Sequence, residues 1–184
     1  MTTYIELGVV ALVLLIGVFI YNAIVSNLNL VKEGWSGIEA QLKRRADLIP
    51  NLVETVKGYA THERGTFEEV TKLRAQSQGA ATVEERAAVE RQITAAIGKI
   101  IAVAENYPDL KANANFQQLQ GQLAEVEDQI QLSRRYYNGT VRTYNTMVEQ
   151  VPSNIVAGLT GFKTAQYFEI DDAADRKVPK VSFQ

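Results

Sequence analysis

The sequence contains no cysteine and one histidine among its 184 residues. The absence of cysteine excludes disulfide bonds, thiolate metal ligands and cysteine nucleophiles, and the lone histidine, His62, excludes a metal centre built from several histidines. Four prolines and twelve glycines are too few for a disordered chain. A formal net charge of -2 gives no reason to expect nucleic acid as a partner.

A long uncharged run lies near the N-terminus, from Leu7 to Tyr21. With its apolar flanks it makes about 22 residues, or roughly 33 Å of helix, which is enough to cross a bilayer. We therefore predict a single transmembrane anchor over residues 1–27, with the lipid bilayer as a partner. A cleaved signal peptide is the alternative, although no lysine or arginine precedes the run and no clear small-residue cleavage site follows it.

Basic residues follow the uncharged run and none precedes it. By the positive-inside rule, this bias predicts that the N-terminus lies outside and the domain after the anchor lies in the cytoplasm. The residues that carry the prediction are Lys32, Lys43, Arg44 and Arg45.

Apolar residues then recur every three or four positions over residues 28–59, which predicts a long amphipathic helix. Arg45 occupies a slot that the pattern otherwise fills with an apolar residue. Pro50 stands in mid-helix, where it removes a backbone hydrogen bond at a cost of roughly 3 kcal/mol. We interpret both as structural and expect Arg45 to be buried with at least two oxygen partners, for which Glu105 and Glu127 are candidates. We expect replacement of Arg45 by leucine to be mild, and a ligand site at Arg45 is the alternative.

Three more helical stretches follow. Capping boxes of the form Thr-x-x-Glu at 66–69 and 82–85 predict two helix starts, although the first helix could instead run on through Gly58 and Gly65. The second of these helices is expected to run to Tyr107 and to be ended by Pro108. The predicted apolar stripes are Phe67, Val70 and Leu73 on the first helix and Ile93, Ile97, Ile100 and Ala104 on the second.

The last long helix is predicted over residues 110–150. Tyr137 and Tyr144 stand seven residues apart on its seam, and Asn138 and Asn145 stand seven apart beside it. Buried tyrosine and asparagine on such a seam fix the register and the partner helix, so we predict an interaction role for all four. A basic aromatic surface for nucleic acid would need a positively charged domain, which the net charge argues against.

Pro152 is expected to end the last long helix, and Ser153 is expected to cap a short helix over 154–159 that Gly161 ends.

The residues from Phe162 onwards have no helical period. Val178, Val181 and Phe183 alternate with polar residues, which favours an extended segment that docks on its own domain or on a neighbouring copy. Docking on a neighbour would produce a homo-oligomer. A disordered tail is the alternative.

Together these patterns predict an all-α fold with three parts. They are a single transmembrane helix over 1–27, an elongated antiparallel bundle of the four-helix type with coiled-coil seams over 28–162, and an extended tail over 163–184. No Glu-x-x-His pair and no glycine-rich phosphate loop occur in the sequence. We therefore predict neither enzymatic activity nor a cofactor.

Several blocks of the sequence resemble the LemA family of bacterial membrane proteins. They are QLKRRADLIPNLVETVKGYATHE at 41–63, AENYPDLKANANFQQLQ at 104–120, RRYYNGTVRTYN at 134–145 and VPSNIVAGLTGF at 151–162, with YFEIDD and PKVSF near the C-terminus. The resemblance implies a location in the bacterial cytoplasmic (inner) membrane, and one divergent relative is implicated in forming an intracellular membrane. We therefore predict a self-associating scaffold that organises or remodels membrane. A sensory or adaptor module that recruits an unidentified protein partner is the alternative.

Overall fold

A computed structural model describes residues 1–60 and 63–169, which form six helices without a strand among them. The all-α prediction is therefore confirmed for this part of the chain. His62 and the predicted tail residues Val178, Val181 and Phe183 lie outside the described residues. The helices are α1 (Thr2–Lys57), α2 (Arg64–Gly79), α3 (Val83–Ala104), α4 (Pro108–Lys111), α5 (Ala114–Glu149) and α6 (Ser153–Thr160).

Helix α1 joins the uncharged run and the amphipathic pattern in one element, which ends at Lys57. The alternative in which it continues through Gly58 and Gly65 is therefore wrong. Tyr59, expected on the seam, lies beyond the helix end and is exposed. The buried seam residues are Val31, Ile38, Leu42, Arg45, Ile49, Leu52 and Val56.

The two predicted capping boxes have opposite outcomes. Thr82 Oγ1 accepts a hydrogen bond from the Glu85 amide at 3.1 Å, and Glu85 Oε2 accepts one from the Thr82 amide at 3.2 Å, so this box starts α3. The helix start predicted from the capping box at 66–69 is wrong, because α2 already begins at Arg64. Its glutamate, Glu69, instead accepts hydrogen bonds from Lys99 Nζ at 3.1 Å.

The last long helix begins four residues later than predicted. The preceding helix already ends at Ala104, earlier than predicted, and Pro108 opens the short helix α4. The side chain of Asn113 then starts α5 afresh, since its Oδ1 accepts hydrogen bonds from the amides of Asn115 at 2.9 Å and Phe116 at 3.2 Å. A side-chain oxygen before the first turn satisfies amides that have no partner within the helix.

Helix α6 ends where the sequence predicts. Gly161 has a φ of 78°, the left-handed conformation that closes helices and that glycine adopts without a steric penalty. At the other end Ser153 was expected to cap the helix. It instead forms the first helical residue, and its Oγ donates to the Gln150 carbonyl at 3.0 Å.

The chain divides into two compact units. Unit 1 contains Met1–Leu42 and Asp128–Tyr167, and unit 2 contains Lys43–Glu127 with Phe168–Gln184, of which residues 168 and 169 are described. This is a division by packing, so the predicted division into anchor, bundle and tail stays a prediction.

Unit 2 has a continuous apolar core to which α1, α2, α3, α4 and α5 all contribute. The stripes predicted on α2 and α3 are buried in it, so the periodicity identified the inward faces correctly. The members of the two stripes are Phe67, Val70, Leu73, Ile93, Ile97, Ile100 and Ala104.

Unit 1 is held together by close packing of α1 against α5. A Cβ atom at Gly34 would lie 3.1 Å from the Cα of Tyr137, so a larger residue there would push the two helices apart. One residue later, the ring centroids of Trp35 and Tyr137 are 5.5 Å apart, within the range of favourable aromatic pairs. Tyr137, the seam tyrosine, thus packs on α1 beside Gly34 and Trp35.

Candidate functional site

Arg45 lies in unit 2 and is 1% exposed. Its guanidinium donates to Glu90 Oε2 at 2.5 Å, to Glu127 Oε2 at 2.6 Å and to Thr94 Oγ1 at 2.8 Å. The expectation of a buried arginine with at least two oxygen partners is therefore confirmed. Of the two acids named from the sequence, Glu127 is a partner, whereas the second carboxylate is Glu90 rather than Glu105.

Glu90 is as deeply buried as Arg45, at 1% exposure. Its second carboxylate oxygen accepts a hydrogen bond from Ser77 Oγ and lies 3.9 Å from Arg86 Nε. Arg86 in turn donates to the Ser77 carbonyl. We call this set the Arg45 network, and its members are Arg45, Ser77, Arg86, Glu90, Thr94 and Glu127.

The Arg45 network connects four helices, because its residues come from α1, α2, α3 and α5. It contains two arginines and two glutamates, so its formal charges balance. Replacing a whole buried ion pair by apolar residues is often neutral for stability, whereas removing one partner strands a charge in an apolar core. The network therefore gives one register of these helices a lower free energy than the other registers.

Pro50 leaves a backbone acceptor without its helical donor, and the structure supplies another donor. The residue four positions earlier is Ala46, whose carbonyl would otherwise accept from the amide of residue 50. Arg74 Nε on α2 donates to this carbonyl at 2.7 Å. The proline therefore creates an attachment point for α2, which gives a structural reason for its place in mid-helix.

A cavity of about 280 Å³ lies beside Arg45 in unit 2. Apart from Arg45, Thr94, Gln120 and Glu127, its lining is apolar or small. Within the described residues, no group of three or more His, Cys, Asp or Glu side chains could hold a metal ion. The polar atoms of this region are used to hold helices together, and we assign no reaction to them.

Besides the contact of Tyr137 with α1, the seam polar residues of α5 form hydrogen bonds with an extended segment. Tyr137 Oη donates to the Gln166 carbonyl at 2.8 Å, and Tyr144 Oη donates to the Lys163 carbonyl at 2.9 Å. Asn145 forms two bonds with the backbone of Ala165, one as donor at 2.9 Å and one as acceptor at 2.8 Å. We call residues 163–166 the tied segment.

The hydrogen bonds to the tied segment, which the sequence pattern did not predict, have a physical reason. Gly161 ends α6, and the segment after it has no helical hydrogen bonds of its own, so its backbone needs side-chain partners where it is covered. Tyrosine and asparagine satisfy such groups without adding charge. Burial raises the pKa of both Tyr137 and Tyr144. Asn138, predicted with them, lies half-buried on α5.

Glu90 and Ser77 were not identified from the sequence, although a signal for them exists. Glu90 occupies the slot three residues before Ile93 in the α3 stripe, and Ser77 occupies the slot four residues after Leu73 in the α2 stripe. Both are polar residues in positions that the periodicity reserves for the core, which is the argument that identified Arg45. Extending each apolar stripe by one helical turn identifies both residues.

The N-terminal part of α1 is apolar and almost entirely exposed. An 18-residue window within it is long and apolar enough to cross a membrane, and it is the one such segment within the described residues. Large apolar residues along it are exposed to solvent in the isolated chain: Leu7, Val10, Leu14, Leu15, Val18 and Phe19. An apolar surface of this extent is typical of a segment surrounded by lipid.

Comparison with known proteins gives a consistent result. The sequence profile described as the LemA family matches residues 34–183. Magnetosome protein MamQ 2 of Paramagnetospirillum magneticum is 26% identical over an alignment covering 86% of this chain and 68% of that protein. Protein LemA of Metamycoplasma hominis is 28% identical over 79% of this chain and 69% of its own length.

Proposed function

Since the chain belongs to the LemA family, we propose that it is a membrane-anchored helical scaffold without enzymatic activity, which self-associates and organises or remodels a membrane. The family and the apolar segment of α1 indicate a membrane-associated protein. The observation that best supports the proposal is the continuity of α1, in which the exposed apolar segment and the core-forming seam belong to one helix.

Two features support a scaffold rather than a flexible tether. The Arg45 network fixes the register of four helices within unit 2. On α5, the large apolar side chains of Leu132 and Tyr136 are exposed one helical turn apart, a pattern typical of a contact surface. The predicted tail residues Val178, Val181 and Phe183 would extend the self-association surface.

We propose the bacterial cytoplasmic membrane as the location, with the N-terminus outside and the bundle in the cytoplasm. The absence of native cysteine allows a direct test, because a cysteine at the exposed position Gln78 would be the only thiol. In cells without an accessible outer barrier, this thiol should react with an impermeant maleimide only after lysis. Reaction in intact cells would show the opposite orientation.

A sensory or adaptor module is the second candidate. The continuity of α1 favours it, because a helix that leaves the membrane segment and enters a packed core can transmit a displacement. An adaptor acts through a separate protein partner, whereas a scaffold acts through copies of itself. The two candidates therefore differ in the mass of the purified protein.

The experiment is a mass measurement of the full chain in mild detergent. A homo-oligomer several times the 20.4 kDa of one chain supports the scaffold. A monomer or dimer that purifies with another protein supports the adaptor. Serine substitutions at Val178, Val181 and Phe183 should reduce the assembly size, whereas alanine substitutions at Ser182 and Gln184 should not.

A truncation experiment must spare the tied segment. Removal of all residues after Ala165 would also remove the Gln166 carbonyl that Tyr137 binds, so it would disturb unit 1 as well as the tail. Truncation after Glu169 leaves every described bond of the tied segment in place. If that truncated chain assembles like the full chain, the tail has no role in self-association.

A further inference from the structure

Helix α6 has an apolar face that nothing in unit 1 covers. Ile155 and Leu159 stand four residues apart on α6 and are 61% and 84% exposed, and Val151, which precedes the helix, is 76% exposed. The opposite face, with Ser153 and Ala157, is buried. No charged residue occurs between Glu149 and Lys163. The exposed side of α6 is therefore uncharged from end to end.

The position of α6 along α1 is fixed by an aromatic contact within unit 1. The ring centroid of Phe162, just after α6, lies 5.7 Å from that of Tyr21, the last residue of the uncharged run. On one side of this point Phe19 is 76% exposed, and on the other side Ile24 is completely buried. The C-terminal end of α6 thus lies where α1 changes from an exposed apolar helix to a packed one.

We propose that α6 is a second membrane contact, with Val151, Ile155 and Leu159 inserted at the boundary between headgroups and acyl chains of the leaflet from which α1 emerges. The inference rests on the proposed anchor, because it needs the uncharged run to lie in the bilayer. A short helix with one apolar face beside a membrane segment binds in the plane of the interface.

Two neighbouring side chains fit this position. Tyr21 would lie at the headgroup level, where aromatic residues with a polar tip are enriched. Lys163 is exposed and follows Phe162 at the end of α6, so its ammonium group is available to lipid phosphates while its aliphatic stem lies along apolar surface.

The bilayer fits this face better than a second copy of the chain does. Stable protein interfaces bury about 800 Å² on each partner. Two aliphatic side chains on an eight-residue helix, with Val151 before it, offer only a fraction of that area. Beside a membrane anchor, the same face meets lipid without any further loss of translational freedom.

The test uses single cysteines in the full chain, each carrying a nitroxide spin label, in liposomes of phosphatidylethanolamine and phosphatidylglycerol. Collision with oxygen reports a lipid environment, and collision with a water-soluble nickel chelate reports water. Labels at Ile155 and Leu159 should favour oxygen, as should a label at Phe19 in the anchor. A label at Ala40 is the matched control, because this exposed apolar residue of unit 1 lies on α1 roughly 28 Å beyond Tyr21 and should favour the nickel chelate.

Each other outcome overturns a defined part of the inference. If the label at Phe19 reports lipid and those at Ile155 and Leu159 report water, α6 is not a membrane contact and the anchor stands. If the label at Phe19 reports water, the anchor fails and the inference fails with it. If labels at Leu159 broaden one another and neither reagent reaches them, a second copy covers the face. If the label at Ala40 also reports lipid, the contact is not specific to α6. A label at Val151 provides a second site if either α6 variant fails to fold.

Discussion

The buried polar groups of unit 2 include an arginine and a glutamate, whereas those of unit 1, Asn145 and Ser153, are neutral. In unit 2, Arg45 and Glu90 form an ion pair in which both side chains are only 2% exposed. In unit 1, Tyr144 and Asn145 bind backbone groups of the tied segment. Loss of one partner strands a charge in unit 2 but only an uncharged dipole in unit 1, so the two units should respond to mutation on different scales.

The largest effect is expected from Glu90→Gln. This change keeps the shape of the side chain but leaves Arg45 without its most deeply buried carboxylate, since the side chain of Glu127 is 33% exposed. We expect the free energy of unfolding in detergent to fall by about 3–5 kcal/mol. Glu125→Gln is the control, because it removes an exposed partner of Arg44 at 3.4 Å and should cost at most about 1 kcal/mol. Equal losses of unfolding free energy in the two variants would show that burial of the charge does not set the cost of removing its partner.

The structure also revises the expectation for Arg45→Leu. From the sequence pattern alone, we expect this change to have a mild effect on stability, because leucine is a typical seam residue. With Glu90 completely buried, the single change instead leaves an uncompensated carboxylate and should be severe. The double variant Arg45→Leu/Glu90→Leu should be more stable than either single variant. A double variant as unstable as the sum of the two would contradict the pairing.

A second, smaller effect concerns Pro50 and Arg74. Arg74→Met removes the donor to the Ala46 carbonyl, and we expect a loss of about 1.5–3 kcal/mol, typical of a hydrogen bond from a charged group. In a Pro50→Ala background the helix amide can bind the same carbonyl, so Arg74→Met should cost less there. A double-mutant cycle measured by denaturant unfolding checks this, and additive losses would contradict the compensation.

In unit 1, Asn145→Ala should detach part of the tied segment. The change removes two hydrogen bonds to Ala165, each worth about 0.5–1.5 kcal/mol. Amide hydrogen exchange should speed up at residues 163–166, with little change in unit 2. Arg142→Ala, an exposed change on the same helix, is the control. Unchanged exchange in the tied segment would show that Asn145 does not hold it.

The smallest effect is a dependence on alkaline pH. Because burial raises the pKa of Tyr137 and Tyr144, the folded protein keeps both protons at a pH where the unfolded chain has lost them. Their contribution is complete below the ordinary pKa of about 10 and is lost as the pH rises above it through the folded pKa. Tyr137→Phe should weaken this dependence and cost about 1 kcal/mol at neutral pH. Tyr136→Phe, at the exposed neighbouring position, should change neither the pH dependence nor the stability at neutral pH.

The difference between the units also explains which features could be predicted from the sequence. Periodicity identified the core faces of α1, α2 and α3, because burial of apolar side chains imposes a regular spacing. Arg45 was found because it interrupts that spacing. Glu90 and Ser77 interrupt it in the same way, but they lie at the ends of shorter stripes, where the pattern is harder to separate from a solvated face.

Other features depend on contacts between residues distant in sequence. The partners of Tyr137, Tyr144 and Asn145 are backbone groups of the tied segment, and a backbone acceptor leaves no mark in the residue pattern. The break between α4 and α5 depends on the local cap at Asn113, and helix ends set by a single side chain are hard to predict. The bond from Arg74 to Ala46 likewise becomes visible only when α1 and α2 are packed.

The central claim is that the apolar start of α1 remains on the protein as a membrane anchor. The most direct measurement is the intact mass of the full chain recovered from cell membranes after an alkaline carbonate wash, which removes peripheral proteins. We expect the protein to remain in the membrane pellet with a mass that includes the segment from Leu7 to Tyr21. A protein released by the wash, or a mass that lacks this segment, would contradict the anchor and the scaffold proposed on it.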